Sequence, residues 1–234
     1  MGRPAAVLFD FDGVIVDSER LHHETMAEVM AGEGPVFDWD FYRENLMGLD
    51  DRGAFAFLLQ RAGLPVTPEG IRSRIARKAG LFAKHAAEGR VPAFPGAAEL
   101  IRACAAAVPV GLCSGALHSD IDPVLAALGI AKCFAVQVTA DDVPMSKPDS
   151  ACYRLCVERL AAKHPGQKIV PAHCVAIEDT ADGIASARGA GIPVVAVATN
   201  LSAAALHAAG AAAVVPSLAG LSPARLAELA GLPR

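Results

Sequence analysis

The chain lacks the features that mark several large classes of protein. No apolar stretch approaches the ~20 uncharged residues of a membrane span. The N-terminal apolar run meets Asp10 after five residues, too short for the apolar region of a secretory signal. Ala6 stands where a myristoylation signal on Gly2 wants Ser or Thr. Charge is sparse, at 20% of residues, and its net value of −4 offers no basic surplus for nucleic acid. None of the six cysteines forms a C-x-x-C pair. Cys152 and Cys156 share a helical face, but no His or second Cys pair completes a zinc set, so core packing is their expected role. There is no internal repeat, and nothing in the pattern specifies an oligomer. Together these absences predict a cytoplasmic protein with reduced thiols, with no membrane and no nucleic-acid partner.

What remains is 234 residues that are 53% apolar, enough for one large domain or a core with an insertion. The short apolar run Ala5 to Phe9 predicts a buried strand. It delivers Asp10 and Asp12 in D-x-D spacing and then turns at Gly13. Residues two apart on a strand share a face, so both carboxylates are expected to emerge together at the strand end. Adjacent carboxylates repel, which suits a divalent metal or a nucleophile paired with a proton carrier. A bare D-x-D is equally a common cap or turn.

A helix is predicted over 17–30 with Ser18 as its cap, then helices over 38–46, 50–62 and 68–88, separated by Gly48 and Gly63-Leu-Pro65. No convincing strand interrupts 38–89, which reads as a helical insertion. From Val91 strands and helices alternate. Strands are expected at 108–113, 134–138, 174–177, 193–198 and 212–215. The helices between and after them fall at about 96–107, then 118–128 ended by Gly129, 148–160 with Pro148 near its start, 181–190 and 223–229. The Ala-rich 203–213 reads as helix and turn. Such alternation implies right-handed crossovers and a doubly wound parallel sheet of Rossmann-like type, with ligands at the carboxyl ends of the strands.

Those ends carry Asp10 and Asp12, then Ser114-Gly115, then Lys147 in a loop, then Glu178-Asp179-Thr180. The set suits phosphoryl transfer, where catalysis is positioning and charge neutralisation. Mg²⁺ takes oxygen ligands and leaves places for phosphate and water, which Asp10, Glu178, Asp179 and a backbone carbonyl can supply. Ser114 and the N–H groups around Gly115 suit phosphate oxygens. Lys147, one of six lysines, adds a point charge.

At this point the chain resembles the haloacid dehalogenase superfamily of aspartate-nucleophile phosphotransferases. Four ordered motifs carry the likeness: DFDGV at 10–14, Ser114 in CSGA, Lys147-Pro148, and EDTADG at 178–183. The resemblance implies Asp10 as nucleophile and Asp12 as general acid/base whose carbonyl meets Mg²⁺. It further implies Ser114 and Lys147 on the phosphate, and Glu178 and Asp179 on the metal. Many relatives place a second acid where this chain has Gly183, so Asp182 is not expected to be a ligand. Residues 1–15 and 91–234 would form the catalytic core, and 16–90 the family's helical cap. Segment 17–22, DSERLH, resembles the hinge of the beta-phosphoglucomutase, sugar-phosphatase and phosphoglycolate-phosphatase subgroup.

The cap would read a small phosphorylated metabolite, with GLDDR at 48–52 as specificity loop and His22 and Arg52 as substrate contacts. For His22 a structural hydrogen bond is an equal alternative. Arg77 and Lys78 read either as a clamp for a remote anion or, preferably, as solvated charges. Trp39 and Phe41 read as cap packing. Asp12 disfavours the dehalogenase and phosphonate-cleaving branches, because a protonated second carboxyl serves an alkoxide leaving group. The expectation is a Mg²⁺-dependent phosphatase working through an aspartyl phosphate. The alternatives are a phosphomutase of the beta-phosphoglucomutase kind and, in a different class, a phospho-ligand binding protein without turnover.

Overall fold

A computed structural model describes residues 2–47 and 49–233. In chain order the elements are β1 (Ala6–Phe9), α1 (Glu19–Val29), α2 (Trp39–Asn45), α3 (Asp51–Arg61), α4 (Pro68–Ala87), α5 (Ala97–Ala105), β2 (Val110–Cys113), α6 (His118–Ala127) and β3 (Val136–Val138). They continue with α7 (Ala151–Lys163), β4 (Cys174–Glu178), α8 (Ala181–Gly189), β5 (Val194–Val197), α9 (Ala203–Ala208), β6 (Ala213–Val215) and α10 (Pro223–Leu229). Gly48, part of the expected specificity loop, lies outside the described residues. No helix among the described residues is long and apolar enough to cross a membrane.

The described residues divide into two compact units. The first comprises residues 2–17, 93–118 and 128–233; the second comprises 18–47, 49–92 and 119–127. In the first unit six parallel strands run in the order β3-β2-β1-β4-β5-β6. Strands β1, β2, β4 and β5 are buried along their whole length, which is why they appear in the sequence as unbroken apolar runs rather than alternating ones. Helix α7 packs on β2 and β3, α8 on β4 and β5, and α9 on β6. Cys152 and Cys156 join Tyr153 and Leu160 in the core beneath the sheet.

The order reverses between β1 and β4, where an open α/β sheet leaves a crevice at its carboxyl edge. Register brings the two strands into step there: Phe9 pairs with Ile177, and the Asp10 N–H donates to the Ile177 carbonyl at 3.0 Å. The residue that follows each strand's last paired apolar position is therefore a carboxylate on both sides.

The second unit has its own core, in which Met26, Val29, Tyr42, Phe55, Leu58 and Leu59 are buried, with Trp39 and Phe41 packed against it. Its helix starts follow capping chemistry. Asp38 accepts from the Phe41 N–H at 2.9 Å, Asp50 from the Gly53 N–H at 2.8 Å, and Thr67 from the Gly70 N–H at 3.1 Å.

Several local expectations need correction. Ser18 makes no side-chain cap bond at α1. Pro148 lies outside α7, which starts at Ala151 after Ser150. The expected 48–52 loop is already helix from Asp51, because Asp50 caps it. Lys78 is not solvated: it is completely buried, with Nζ 2.9 Å from Asp51 and 3.2 Å from Asp120. Arg77 is exposed beside Glu33 at 3.4 Å.

Candidate active site

Strand β1 stops at Phe9, so Asp10 and Asp12 are placed by a turn and not by strand alternation. The turn closes through the Gly13 N–H, which donates to the Val16 carbonyl at 2.9 Å. Gly13 has φ of 77°, a left-handed conformation, and a Cβ there would collide with the Asp179 carboxylate. A side chain at 13 would thus separate the first and last motifs.

Asp10, Glu178 and Asp179 are all buried, and one carboxylate oxygen of each lies within 4.8 Å of the others. Lys147 stands between them, with Nζ 2.9 Å from Asp10 Oδ1 and 2.6 Å from Glu178 Oε1. Asp10 Oδ1 also accepts from the Phe11 N–H at 2.7 Å. Asp179 Oδ2 accepts from the Asn200 amide at 2.8 Å. At an effective dielectric near 20, two unit charges 4 Å apart interact by about 4 kcal/mol. One ammonium cannot neutralise three carboxylates packed this closely.

The titration of the group reflects that imbalance. Burial, and then the Glu178 and Asp179 charges, hold the Asp10 carboxyl well above its usual range despite Lys147. Burial and Glu178 push Asp179 up to about 7, against the Asn200 amide and Lys147. Burial alone would lower Lys147, but the Asp10 and Glu178 carboxylates outweigh it and hold its ammonium firmly charged. The cluster is therefore ready to accept more positive charge. Asp179 Oδ1 is buried and has no hydrogen-bond partner among the described residues. An orphaned carboxylate oxygen beside two further carboxylates fits a hard divalent cation such as Mg²⁺.

Gly183 leaves the room that the Glu178 carboxylate fills. A Cβ at 183 would collide with both oxygens of Glu178. Glu178 occupies that volume, and Asp182 beside it is exposed.

Ser114 is buried at the end of β2, where its Oγ accepts from the Ala116 N–H at 3.0 Å. Gly115 next to it is exposed and has open space where a Cβ would stand. Asp12 is half-buried, and its charge adds to the upward shift of Asp179. Its carboxylate is not one of the three clustered ones.

The remaining expected contacts belong to the second unit. His22 is buried, and its ring stacks on Phe82 with centroids 4.7 Å apart. Arg52 is exposed in the first turn of α3.

Three residues near the carboxylates escape motif reading. Asn200 and Thr199 follow β5, and Thr199 Oγ1 donates to the Gly13 carbonyl at 2.7 Å. Inspecting the end of β5 as closely as that of β4 finds both. Tyr153 on α7 donates to Glu178 Oε1 at 2.6 Å. Its only signal is that a buried phenol needs a partner.

Comparison with known proteins gives a consistent set. A family model of haloacid dehalogenase-like hydrolases matches residues 4–191. The phosphorylated carbohydrates phosphatase of Thermotoga maritima is 30% identical over 188 residues, covering 80% of this chain and 82% of that protein. Hexitol phosphatase B of Escherichia coli is 28% identical, covering 79% of each. Among solved structures, CbbY from Rhodobacter sphaeroides in complex with xylulose-(1,5)bisphosphate superposes with a TM-score of 0.81. It is 27% identical and covers 95% of this chain and 99% of that one.

Proposed function

The chain belongs to the haloacid dehalogenase-like hydrolases and is a phosphate-monoester hydrolase, and we propose that it hydrolyses a small phosphorylated sugar with Mg²⁺ through an aspartyl phosphate. The observation that carries this reading is the convergence of Asp10, Glu178 and Asp179 within 4.8 Å at the switch point of the sheet.

Asp10 Oδ1 is held by Lys147 and the Phe11 N–H, which leaves Oδ2 as the attacking oxygen. Its bond to phosphorus forms as the ester P–O bond breaks, and Asp12 gives the departing alkoxide its proton. Asp12 then takes a proton from water as that water attacks phosphorus, releasing phosphate and restoring Asp10. Ser114 and the N–H groups beside Gly115 hold phosphate oxygens, and Lys147 offsets their charge. The cation, held by Asp10, Glu178, Asp179 and the Asp12 carbonyl, would neutralise charge on the transferring phosphoryl group. The second unit serves as cap, with Arg52 among its substrate contacts. The similar CbbY and hexitol phosphatase support sugar phosphates as the substrate class.

A phosphomutase needs a further anion clamp in its helical unit. Here Lys78 is paired with Asp51 and Asp120, and Arg77 faces Glu33. That pairing favours hydrolysis. With an aryl phosphate, phosphate release should require added Mg²⁺ and stop on chelation. With beta-glucose 1-phosphate and a trace of the 1,6-bisphosphate, the product should be free phosphate. No release by folded protein from any sugar or aryl phosphate overturns the reading, and glucose 6-phosphate as main product transfers it to the mutase.

A further inference from the structure

Glu178 is completely buried, so each of its lone pairs must find a partner within the protein. Oε1 takes two short bonds, from Lys147 Nζ at 2.6 Å and from the Tyr153 hydroxyl at 2.6 Å. Oε2 has only the Asp179 N–H at 3.3 Å and a marginal contact with the Thr180 hydroxyl at 3.5 Å. The two oxygens are thus unequal: one is saturated by strong donors and the other is weakly engaged. Tyr153 itself is completely buried in the core among Cys113, Cys152 and Cys156, with its ring 5.4 Å from the Lys147 ammonium.

We propose that Tyr153 is a positioning residue, whose hydroxyl anchors the Glu178 carboxylate through Oε1 in the orientation offered to the divalent cation, and which thereby frees Lys147 to serve Asp10. The inference rests on the proposed function, since it assigns a role toward the cation named there. Its physical basis is the sharing of one ammonium. Lys147 reaches Asp10 Oδ1 at 2.9 Å and Glu178 Oε1 at 2.6 Å. Were Lys147 the sole donor to Glu178, any movement toward a bound phosphate would leave a buried carboxylate oxygen unpaired. The phenol removes that conflict, because it is neutral and remains bonded whichever way the ammonium leans. Gly183 closes the arrangement, since the space over its Cα is where the Glu178 carboxylate rests.

Groups that orient a metal-bound carboxylate are commonly worth about 10- to 100-fold in affinity or activity. Tyr153→Phe keeps the ring and its packing while deleting the donor. Titrating MgCl₂ into substrate-free enzyme by calorimetry, we expect the variant to bind Mg²⁺ about 10- to 100-fold more weakly than the parent. At saturating Mg²⁺, KM for an aryl phosphate should stay near the parent value. Equal Mg²⁺ affinity of parent and variant overturns the role of Tyr153 and leaves the proposed function standing. A parent that binds no Mg²⁺ removes both.

Since the chain has only two tyrosines, uniform 3-fluorotyrosine labelling gives a second reading without any loss of the hydroxyl. The fluorine resonance of residue 153 should shift as MgCl₂ is added, with the calorimetric midpoint. A resonance indifferent to Mg²⁺ contradicts the proposal.

Discussion

Asp10→Asn should abolish turnover of every phosphate ester the parent hydrolyses, while leaving the protein folded and no less stable to heat. The amide keeps the shape of the carboxylate and an oxygen for the Phe11 N–H and Lys147, but it has no anionic oxygen to attack phosphorus. Loss of a nucleophile costs on the order of 10⁴-fold or more in kcat, since the rest of the site still binds and polarises substrate. The stability half of the expectation comes from burial and repulsion. Asp10 sits out of water beside Glu178 and Asp179, and both raise its carboxyl's ionisation well above the ordinary 3.8. An acid with a raised folded value stabilises the fold below its unfolded value and loses that contribution as pH rises through the folded one. At neutral pH without a cation, a neutral residue at 10 relieves that strain. Circular dichroism melts in chelator and steady-state kinetics in Mg²⁺ test the two halves separately. Retained turnover would mean that another group is the nucleophile, and a collapsed fold would mean that Asp10 is structural.

Lys78→Met should destabilise the second unit by about 3–5 kcal/mol, the usual cost of stripping the partner from buried charges. Lys78 is completely buried, and its ammonium is bracketed by Asp51 on α3 and Asp120 on α6. Burial works against its charge, yet Asp120 and Asp51 together hold it above the ordinary lysine value of 10.5. Asp120 is itself pushed up by burial and already has one oxygen, Oδ1, without a hydrogen-bond partner among the described residues. Removing the only cation of this trio leaves two carboxylates facing each other in low dielectric. Adding Asp51→Leu and Asp120→Leu to Lys78→Met should recover most of the loss, because replacing a buried ion cluster by hydrophobic residues of similar volume is often neutral in energy. Since the folded lysine is raised, its contribution is complete below 10.5 and declines only as pH climbs beyond that. Urea midpoints of the three proteins at neutral pH decide the matter. A single variant as stable as the parent would show that the trio does not hold in solution.

The contrast between these two lysines shows what sequence can and cannot convey. Lys147, Asp10, Glu178 and Asp179 are legible because each ends a short apolar run or sits beside a proline, and a parallel sheet brings such ends to one rim. Lys78 is misread because charge is taken as a mark of solvent. It lies four residues before Phe82 and eight before Ala86, and those three are the buried positions of α4. The spacing therefore carried the signal, but the identity of the residue hid it.

Segment 119–127 groups with the helical unit although it follows a sheet strand in the alternation. Its periodicity is that of any amphipathic helix, and only the pairing of Asp120 with Lys78, 42 residues away, shows its company. Tyr153 is hidden in the same way. Helical spacing marks it as core, and nothing local tells that its hydroxyl reaches Glu178, 25 residues on. Motifs and strand ends are local patterns; partners across the fold are not.

The most direct test of hydrolysis through Asp10 is to catch the covalent intermediate. Enzyme turning over an aryl phosphate in Mg²⁺ is quenched in acid within its first turnover, digested, and weighed by mass spectrometry. The expected result is a phosphoryl group on the peptide that contains Asp10, mapped to that side chain and absent from Asp10→Asn. A phosphoryl group on any other residue, or none at all under conditions where phosphate is released, would contradict it.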